Sequence, residues 1–294
     1  MTLEQLRIFL EVARRAHVTR AAESLNMTQS AVSAAIRALE RRYGVDLFDR
    51  VGRSIRLNQA GRAFLPEAQR LMAQAAEAEA ALRDLGEGLG GTLAIMASQT
   101  VGAYWLPPRL ARFRAAHPGI GLDVRIGNTE AAEEAVARGE VEIAIVEGAP
   151  GNPALSARVV ASDEMIFVGP PDHPGRPGGV VDRDALRAAR WVLREPGSGT
   201  RRAFEALAAR HGLSLADLDV ALTMPGNEAV LGAVEAGLGE TFISRSAASL
   251  ALRGGLLRET GGAPDTRPFY LLRHSEARAS RVAAAFEALL DQEI

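Results

Sequence analysis

The chain has 294 residues, 47% of them hydrophobic and 24% charged, with a formal net charge of −2. This composition suits two or three globular domains with proper cores and excludes a disordered or fibrous chain. Cysteine is absent, which excludes disulfide staples, thiolate metal sites and any thiol-based redox sensor.

In chain order, Leu3, Leu6, Phe9, Leu10 and Ala13 form a stripe at helical spacing that predicts a first helix. Residues 19–25 predict a short second helix, Asn26 and Met27 break the pattern, and Thr28 can cap a third helix with its hydroxyl. Val32, Ala35, Ile36, Leu39 and Tyr43 then recur at three- and four-residue spacing, so one face of the third helix packs inward. Gln29, Ser30, Ser33 and Arg37 lie opposite. Two helices joined by so tight a turn form a helix-turn-helix, and these side chains can pair with adenine and guanine edges in the major groove. A lone helix of this kind is more often a plain surface helix, so its neighbours decide. Gly44 can end it, Leu47 and Phe48 form an apolar plug, and residues 50–56 suit a hairpin with Gly52 and Ser54 near its tip. Arg50, Arg53 and Arg56 make that hairpin a basic wing, with Arg53 placed to enter the minor groove or grip phosphate. Residues 1–62 hold 11 Arg against 6 Asp and Glu, hence +5, leaving 23 against 30, hence −7, in the remainder. A head of +5 is weakly basic, so affinity calls for two heads acting together on double-stranded DNA.

Residues 1–62 resemble the winged helix-turn-helix of LysR-type transcriptional regulators. The positions in register include Ala21, Ala22 and Leu25, the run from Thr28 to Ser33, Ile36, Leu39, Glu40, Gly44, Leu47, Phe48, Arg50, Ala60 and Gly61.

Residues 59–86, rich in Ala, Glu, Gln, Leu and Arg with Pro66 near the start, predict one long helix spanning on the order of 40 Å at about 1.5 Å per residue. Phe64, Ala68, Leu71, Ala75, Ala78, Leu82 and Leu85 alternate spacings of 4 and 3, a heptad seam that implies a partner helix. An Ala-rich seam is a weak zipper, and packing on its own domain is the alternative. The resemblance implies pairing through this helix, as a homodimer and commonly a homotetramer, and RNA polymerase as a further partner.

Residues 86–91 form a Gly-rich break, after which strands and helices alternate and predict a parallel α/β sheet. Strands are expected at 92–97, 122–126, 141–146, 164–168, 191–194, 220–223, 241–244 and 268–273. Helices are expected at 101–116, 130–138, 200–210, 228–236 and 281–290. This part looks like the family's effector-binding domain, which is periplasmic-binding-protein-like, with two α/β subdomains around a ligand cleft. The expected division is thus a winged helix-turn-helix at 1–58, a linker helix at 59–88 and an effector domain at 92–294. Subdomain I takes 92–161 and 268–294, and subdomain II takes 162–267. The fold class is α/β with an all-α winged helix-turn-helix domain in front.

In open α/β sheets, ligands bind beyond the carboxyl ends of strands, where helix N-termini offer free N–H groups. The strand-to-helix junctions carry Ser98, Gln99 and Thr100; Asn128 and Thr129; Ser198, Gly199 and Thr200; and Asn227. Each alone is most simply a helix cap; four facing one cleft would bind a small anionic effector. Glu147, at a strand end, would repel an anion unless it points away, pairs with an arginine such as Arg201, or meets a donor group on the effector.

The run GSGTR lacks the spacing and lysine of a phosphate-binding P-loop, and the five His are scattered without ligand spacing. No catalytic residues, metal or cofactor are expected. Arginine supplies every basic side chain along the whole chain, so the absence of lysine carries little functional meaning. No basic leader and no run of about 18 apolar residues is present, so a cytoplasmic protein without a membrane span is expected. Residues 126–148 together with 191–205 are similar to the sulfur-assimilation, CysL-like branch of the family, which suggests an oxyanion or sulfur metabolite. The family's regulators of carbon-fixation operons share REPGSGTR, which points instead to phosphorylated or carboxylated metabolites. Two rivals are a solute-binding transport component, which resembles the domain after Thr92, and a cytoplasmic α/β enzyme with an accessory domain.

Overall fold

The structure, a computed structural model, describes residues 1–51, 54–84, 90–176 and 179–292. The chain divides into two compact units, one built on Met1–Glu87 and the other on Gly88–Ala137 and Val141–Ile294.

The N-terminal unit begins with α1 (Leu3–Arg15), started by a reciprocal box in which the Thr2 hydroxyl accepts from the Gln5 amide at 3.1 Å and Gln5 Oε1 accepts from the Thr2 amide at 3.0 Å. Then come α2 (Val18–Ser24) and α3 (Gln29–Tyr43), which Gly44 ends at φ +66°. The strands β1 (Phe48–Val51) and β2 (Ser54–Leu57) pair as an antiparallel hairpin, Phe48 opposite Leu57 and Val51 opposite Ser54. The helix α4 (Gln59–Asp84) follows. Glu11 ties α1 to α2: its carboxylate accepts from Ser24 Oγ at 2.6 Å and from Arg14 and Arg15, which against its partial burial hold it down at about 2.

The core joins Leu6, Ile8, Phe9 and Val12 of α1 to Ala21, Val32, Ile36 and Leu39, with the Phe9 ring 5.4 Å from Phe48 and 5.1 Å from Phe64. The expected stripe of α1 is therefore rotated. Leu3 is 51% exposed, and Ile8 and Val12 are buried, because α1 is covered by α2, α3 and α4 and needs a broad apolar face. Tyr43, expected inside, is 56% exposed on the last turn of α3, where Arg42 covers its ring at 5.7 Å. The seam of α4 divides in the same way. Phe64 and Ala68 close the core of their own unit, while Leu71 and Ala78 are exposed. The side chain of Leu82 and all of Leu85 lie outside the described residues.

In the C-terminal unit, β3 (Gly91–Ser98), β4 (Ile120–Gly127) and β5 (Ile143–Glu147) are parallel. Beside them, β6 (Leu155–Gly169) and β10 (Arg258–His274) run antiparallel to each other along nearly their whole lengths. With β9 (Thr241–Ser244) the order is β4-β3-β5-β10-β6-β9, and β7 (Arg190–Arg194) pairs in parallel with β8 (Asp219–Met224). The sheet is thus mixed, not wholly parallel as expected, because two strands of 15 and 17 residues carry the chain out and back.

Helices α5 (Leu106–Ala116), α6 (Thr129–Ala137) and α11 (Arg281–Asp291) cover the first half. The second half carries α7 (Arg183–Ala188), α8 (Gly199–Arg210), α9 (Asn227–Glu235) and α10 (Arg245–Arg253). The single helix expected at 101–116 splits into a π-turn, Val101–Trp105, and α5, because Pro107 and Pro108 lack N–H groups and favour a helix start.

Between the end of β5 at Glu147 and the start of the β9 ladder at Met165, β6 and β10 run on alone. There Ser162 faces Pro268, Asp163 faces Arg267 and Glu164 faces Thr266, a neck two strands wide.

Candidate functional site

Two sites stand out. On the N-terminal unit, the Thr28 hydroxyl caps α3 by accepting from the Ala31 amide at 3.2 Å and lies 3.0 Å from Ser30 Oγ. Gln29, Ser30 and Arg37 are exposed, and Ser33, half-buried, lies one turn on from Gln29. The hairpin is fixed to this helix by Glu40 Oε1, which accepts from the Leu47 amide at 2.9 Å. At Gly61 a Cβ would stand 2.1 Å from the Leu47 carbonyl oxygen, so α4 can approach this closely only with glycine there. Arg50 lies on β1, its side chain outside the described residues, and Arg53 lies wholly outside them.

The second site gathers every junction residue expected to bind an effector. Ser98, Thr100, Thr129, Glu147, Ser198, Thr200 and Asn227 are all buried. Gln99 Oε1 accepts from the Asn227 amide at 3.1 Å, and Asn227 Nδ2 donates to Thr100 Oγ1 at 3.1 Å. Asn128 caps α6 through the Ala131 amide at 2.9 Å and extends Nδ2 to Glu195 at 3.4 Å. Ser198 precedes α8 without capping it. At Gly199 a Cβ would lie 2.7 Å from the Glu147 carbonyl oxygen and 2.8 Å from Thr129 Oγ1, so glycine permits the two halves to meet.

At the centre is Arg267, which sequence reasoning missed. It donates to Asp163 Oδ2 from Nη2 at 2.7 Å and from Nε at 3.1 Å, to Thr200 Oγ1 at 3.1 Å and to Thr100 Oγ1 at 3.3 Å. Its Nη2 also stands 3.6 Å from Glu147 Oε1. Glu147 therefore pairs with Arg267 and not with Arg201, which donates to Glu205 at 2.8 Å and to the Arg194 carbonyl at 3.1 Å. The register explains the meeting: Asp163 and Arg267 are opposed on β6 and β10, and Glu147 faces Phe269 two residues along. Arg194, also missed, donates to Asn227 Oδ1 at 2.5 Å and holds Glu195 at 2.8 and 2.9 Å.

Two carboxylates share Arg267 and ionise as a coupled pair. Burial pushes Glu147 up, but the Arg267 charge with the Ser98 and Thr100 hydroxyls outweighs it and holds Glu147 below the usual carboxylate range. Asp163 is pushed up by burial, which outweighs Arg267, and by the neighbouring charge of Glu147. The Ser98 hydroxyl is near enough to favour the ionised Glu147, yet it is buried and in hydrogen-bond geometry with no group. Arg194 and Arg267 face Glu147, Asp163 and Glu195, so the cluster has no positive charge to spare. Among the described residues, no group of His, Asp and Glu could hold a metal ion, and no helix is long and apolar enough to cross a membrane.

Residues 3–62 match the family model of the bacterial regulatory helix-turn-helix protein, lysR family, and residues 86–294 match that of the LysR substrate binding domain. The chain is 35% identical to the uncharacterized HTH-type transcriptional regulator YeiE of Escherichia coli (strain K12), over 99% of this chain and 96% of the relative. It is 33% identical to the RuBisCO operon transcriptional regulator of Allochromatium vinosum, over 97% and 94% of the two chains. Among solved structures, full-length CbnR complexed with its target DNA matches all of both chains with a TM-score of 0.69 at 21% identity. The regulatory domain of Synechocystis PCC6803 CcmR, in complex with 2-PG, matches 69% of this chain and 97% of that domain with a TM-score of 0.62 at 23% identity. These two likenesses establish a shared fold.

Proposed function

Because this chain belongs to the LysR family of DNA-binding transcriptional regulators, with an effector-binding domain behind its helix-turn-helix, we propose how the two sites divide the work. The head reads operator DNA through Gln29, Ser30, Ser33 and Arg37 on α3, while Thr28, Arg50 and Arg53 hold the phosphate backbone and the adjacent groove. A head of +5 acts as one of a pair, in a cytoplasmic homodimer or homotetramer. Subdomain I (92–161 and 268–294) and subdomain II (162–267) swing about the neck at Ser162 and Pro268. A small anionic effector bound between them at Ser98, Thr100, Thr129, Ser198, Gly199, Thr200 and Asn227 biases that swing, by binding one arrangement better than the other.

One observation carries this reading: Thr100 and Thr200, from junctions in opposite halves, both accept from the buried guanidinium of Arg267, and the other two junctions join them through Thr129 on Glu147 and Asn227 on Thr100. The name of the Allochromatium relative and the 2-PG bound to the CcmR domain support a phosphorylated or carboxylated metabolite over a sulfur metabolite. An anion placed about 4 Å from an ionised Glu147 would be repelled by about 4 kcal/mol at an effective dielectric of about 20, so Glu147 must be answered for.

Calorimetric titration of the full chain with 2-PG, phosphate and sulfate tests the cleft. Thr100→Ala and Ser198→Ala are each expected to weaken the bound anion about tenfold. Unchanged affinity in both sinks the assignment. For the head, Gln29→Ala and Ser33→Ala are each expected to weaken specific binding by about 1–3 kcal/mol, whereas Arg53→Ala weakens all sequences alike and lowers the salt slope by about one. Gel shifts across a salt series check both, and equal affinity for operator and random DNA in the wild type removes the role of α3.

A further inference from the structure

This inference rests on the cleft being the effector site and concerns what fills it before an effector arrives. We propose that Glu147 is a built-in ligand: its carboxylate occupies the seat meant for an effector's oxyanion and latches the two subdomains together until an incoming oxyanion displaces it.

Glu147 ends β5 and is 2% exposed. Its carboxylate accepts from Thr129 Oγ1 at 3.2 Å and faces Arg267 at 3.6 Å. The first turn of α8, from the opposite subdomain, arrives at Gly199 with no room for a Cβ against Glu147, and no side chain caps it. The Ser98 hydroxyl, 1% exposed, stands beside the carboxylate and favours its ionised form. Hydroxyls and a guanidinium are what an oxyanion requires, and here the chain's own carboxylate has them.

Charge decides the order of events. Arg267 already faces two carboxylates, so a further oxyanion would add unbalanced buried charge unless one of them leaves. Asp163 is held twice by Arg267 and once by Ser244 Oγ at 2.9 Å. Glu147 has the longer, 3.6 Å contact and is the one that leaves. An effector therefore trades its oxyanion for the carboxylate of Glu147, and its affinity is set by that exchange.

The test uses the full chain and acetate, a free copy of the Glu147 head group, with chloride as the salt control. Two amide hydrogen bonds cross the cleft, Glu130 to the Gly197 carbonyl and Asn227 to Gln99, both at 3.1 Å, and their hydrogen exchange reports closure. In Glu147→Ala both amides are expected to exchange at least about tenfold faster than in the wild type, and millimolar acetate restores their protection. The wild type is expected to ignore acetate because its seat is full. Acetate protecting the wild type equally, or failing to protect a folded Glu147→Ala, overturns the proposal. Should that variant not fold, Glu147→Gln keeps the shape without the charge. Its cross-cleft amides are expected to exchange about tenfold faster whether or not acetate is present, and wild-type rates overturn the latch. Operator binding by the wild type, measured in parallel, separates the failures. A chain that binds no DNA loses the functional reading, whereas silent acetate with intact DNA binding loses the latch alone.

Discussion

Replacing Arg267 with Met is expected to lower the stability of the C-terminal unit by about 3–5 kcal/mol at neutral pH, since it leaves buried carboxylates without a counter-charge. In a unit of this size that shifts Tm downward on the order of 10 °C. Asp163 loses both of its bonds to Arg267, at 2.7 and 3.1 Å, and Glu147 loses the charge that holds it ionised. The pH dependence has a definite sign. In the wild type Glu147 is depressed, so its contribution is complete above the ordinary glutamate range and fades as pH falls through the folded value. In the variant, burial acts without the opposing Arg267 charge, lifting Glu147 and raising Asp163 further, so the penalty is largest at neutral pH and shrinks as they take up protons. Thermal unfolding of both proteins between neutral pH and about pH 4 checks this. A gap that stays constant, or a neutral-pH loss below about 1 kcal/mol, would show that Arg267 does not hold these acids.

Phe9→Ala is expected to cost the N-terminal unit about 3–5 kcal/mol and with it operator binding. Phe9 is fully buried and its ring joins three elements, its own α1, the hairpin through Phe48 and α4 through Phe64. Scanning calorimetry should show one transition moving down while that of the C-terminal unit holds. Leu3→Ala, from the same apolar stripe, is expected to change stability by no more than about 0.5 kcal/mol because Leu3 is 51% exposed. Equal losses for the two would mean that α1 buries the stripe read from spacing and not the face seen here.

What was legible in the sequence was local. Thr28 as a cap, Gly44 as a terminator and the polar junctions at 98–100, 128–129 and 198–200 are each set by residues within one turn, and the structure has all of them where expected. Arg267 and Asp163 were not legible, because their meeting depends on strand register across 104 residues of chain. The long ladders that bring them together were hidden as well. Residues 258–267 of β10 include two glycines, a proline and two register shifts, and the alternation that marks a strand is lost among them. Distance also explains Leu3 and Tyr43: helical spacing gives the apolar residues of a helix, but the neighbours decide which of them are covered.

The two-stranded neck has a mechanical consequence. Among the described residues, β6 and β10 carry the chain through the neck side by side, Ser162 to Glu164 against Pro268 to Thr266. A ribbon two strands wide flexes readily across its face but resists sliding and splaying, since either would break the ladder bonds in step. The body is thereby left with essentially one soft degree of freedom, and the Arg267–Asp163 pair is built into its axis. Whatever bends the body there can vary how far that flexure goes, but not the direction in which it moves.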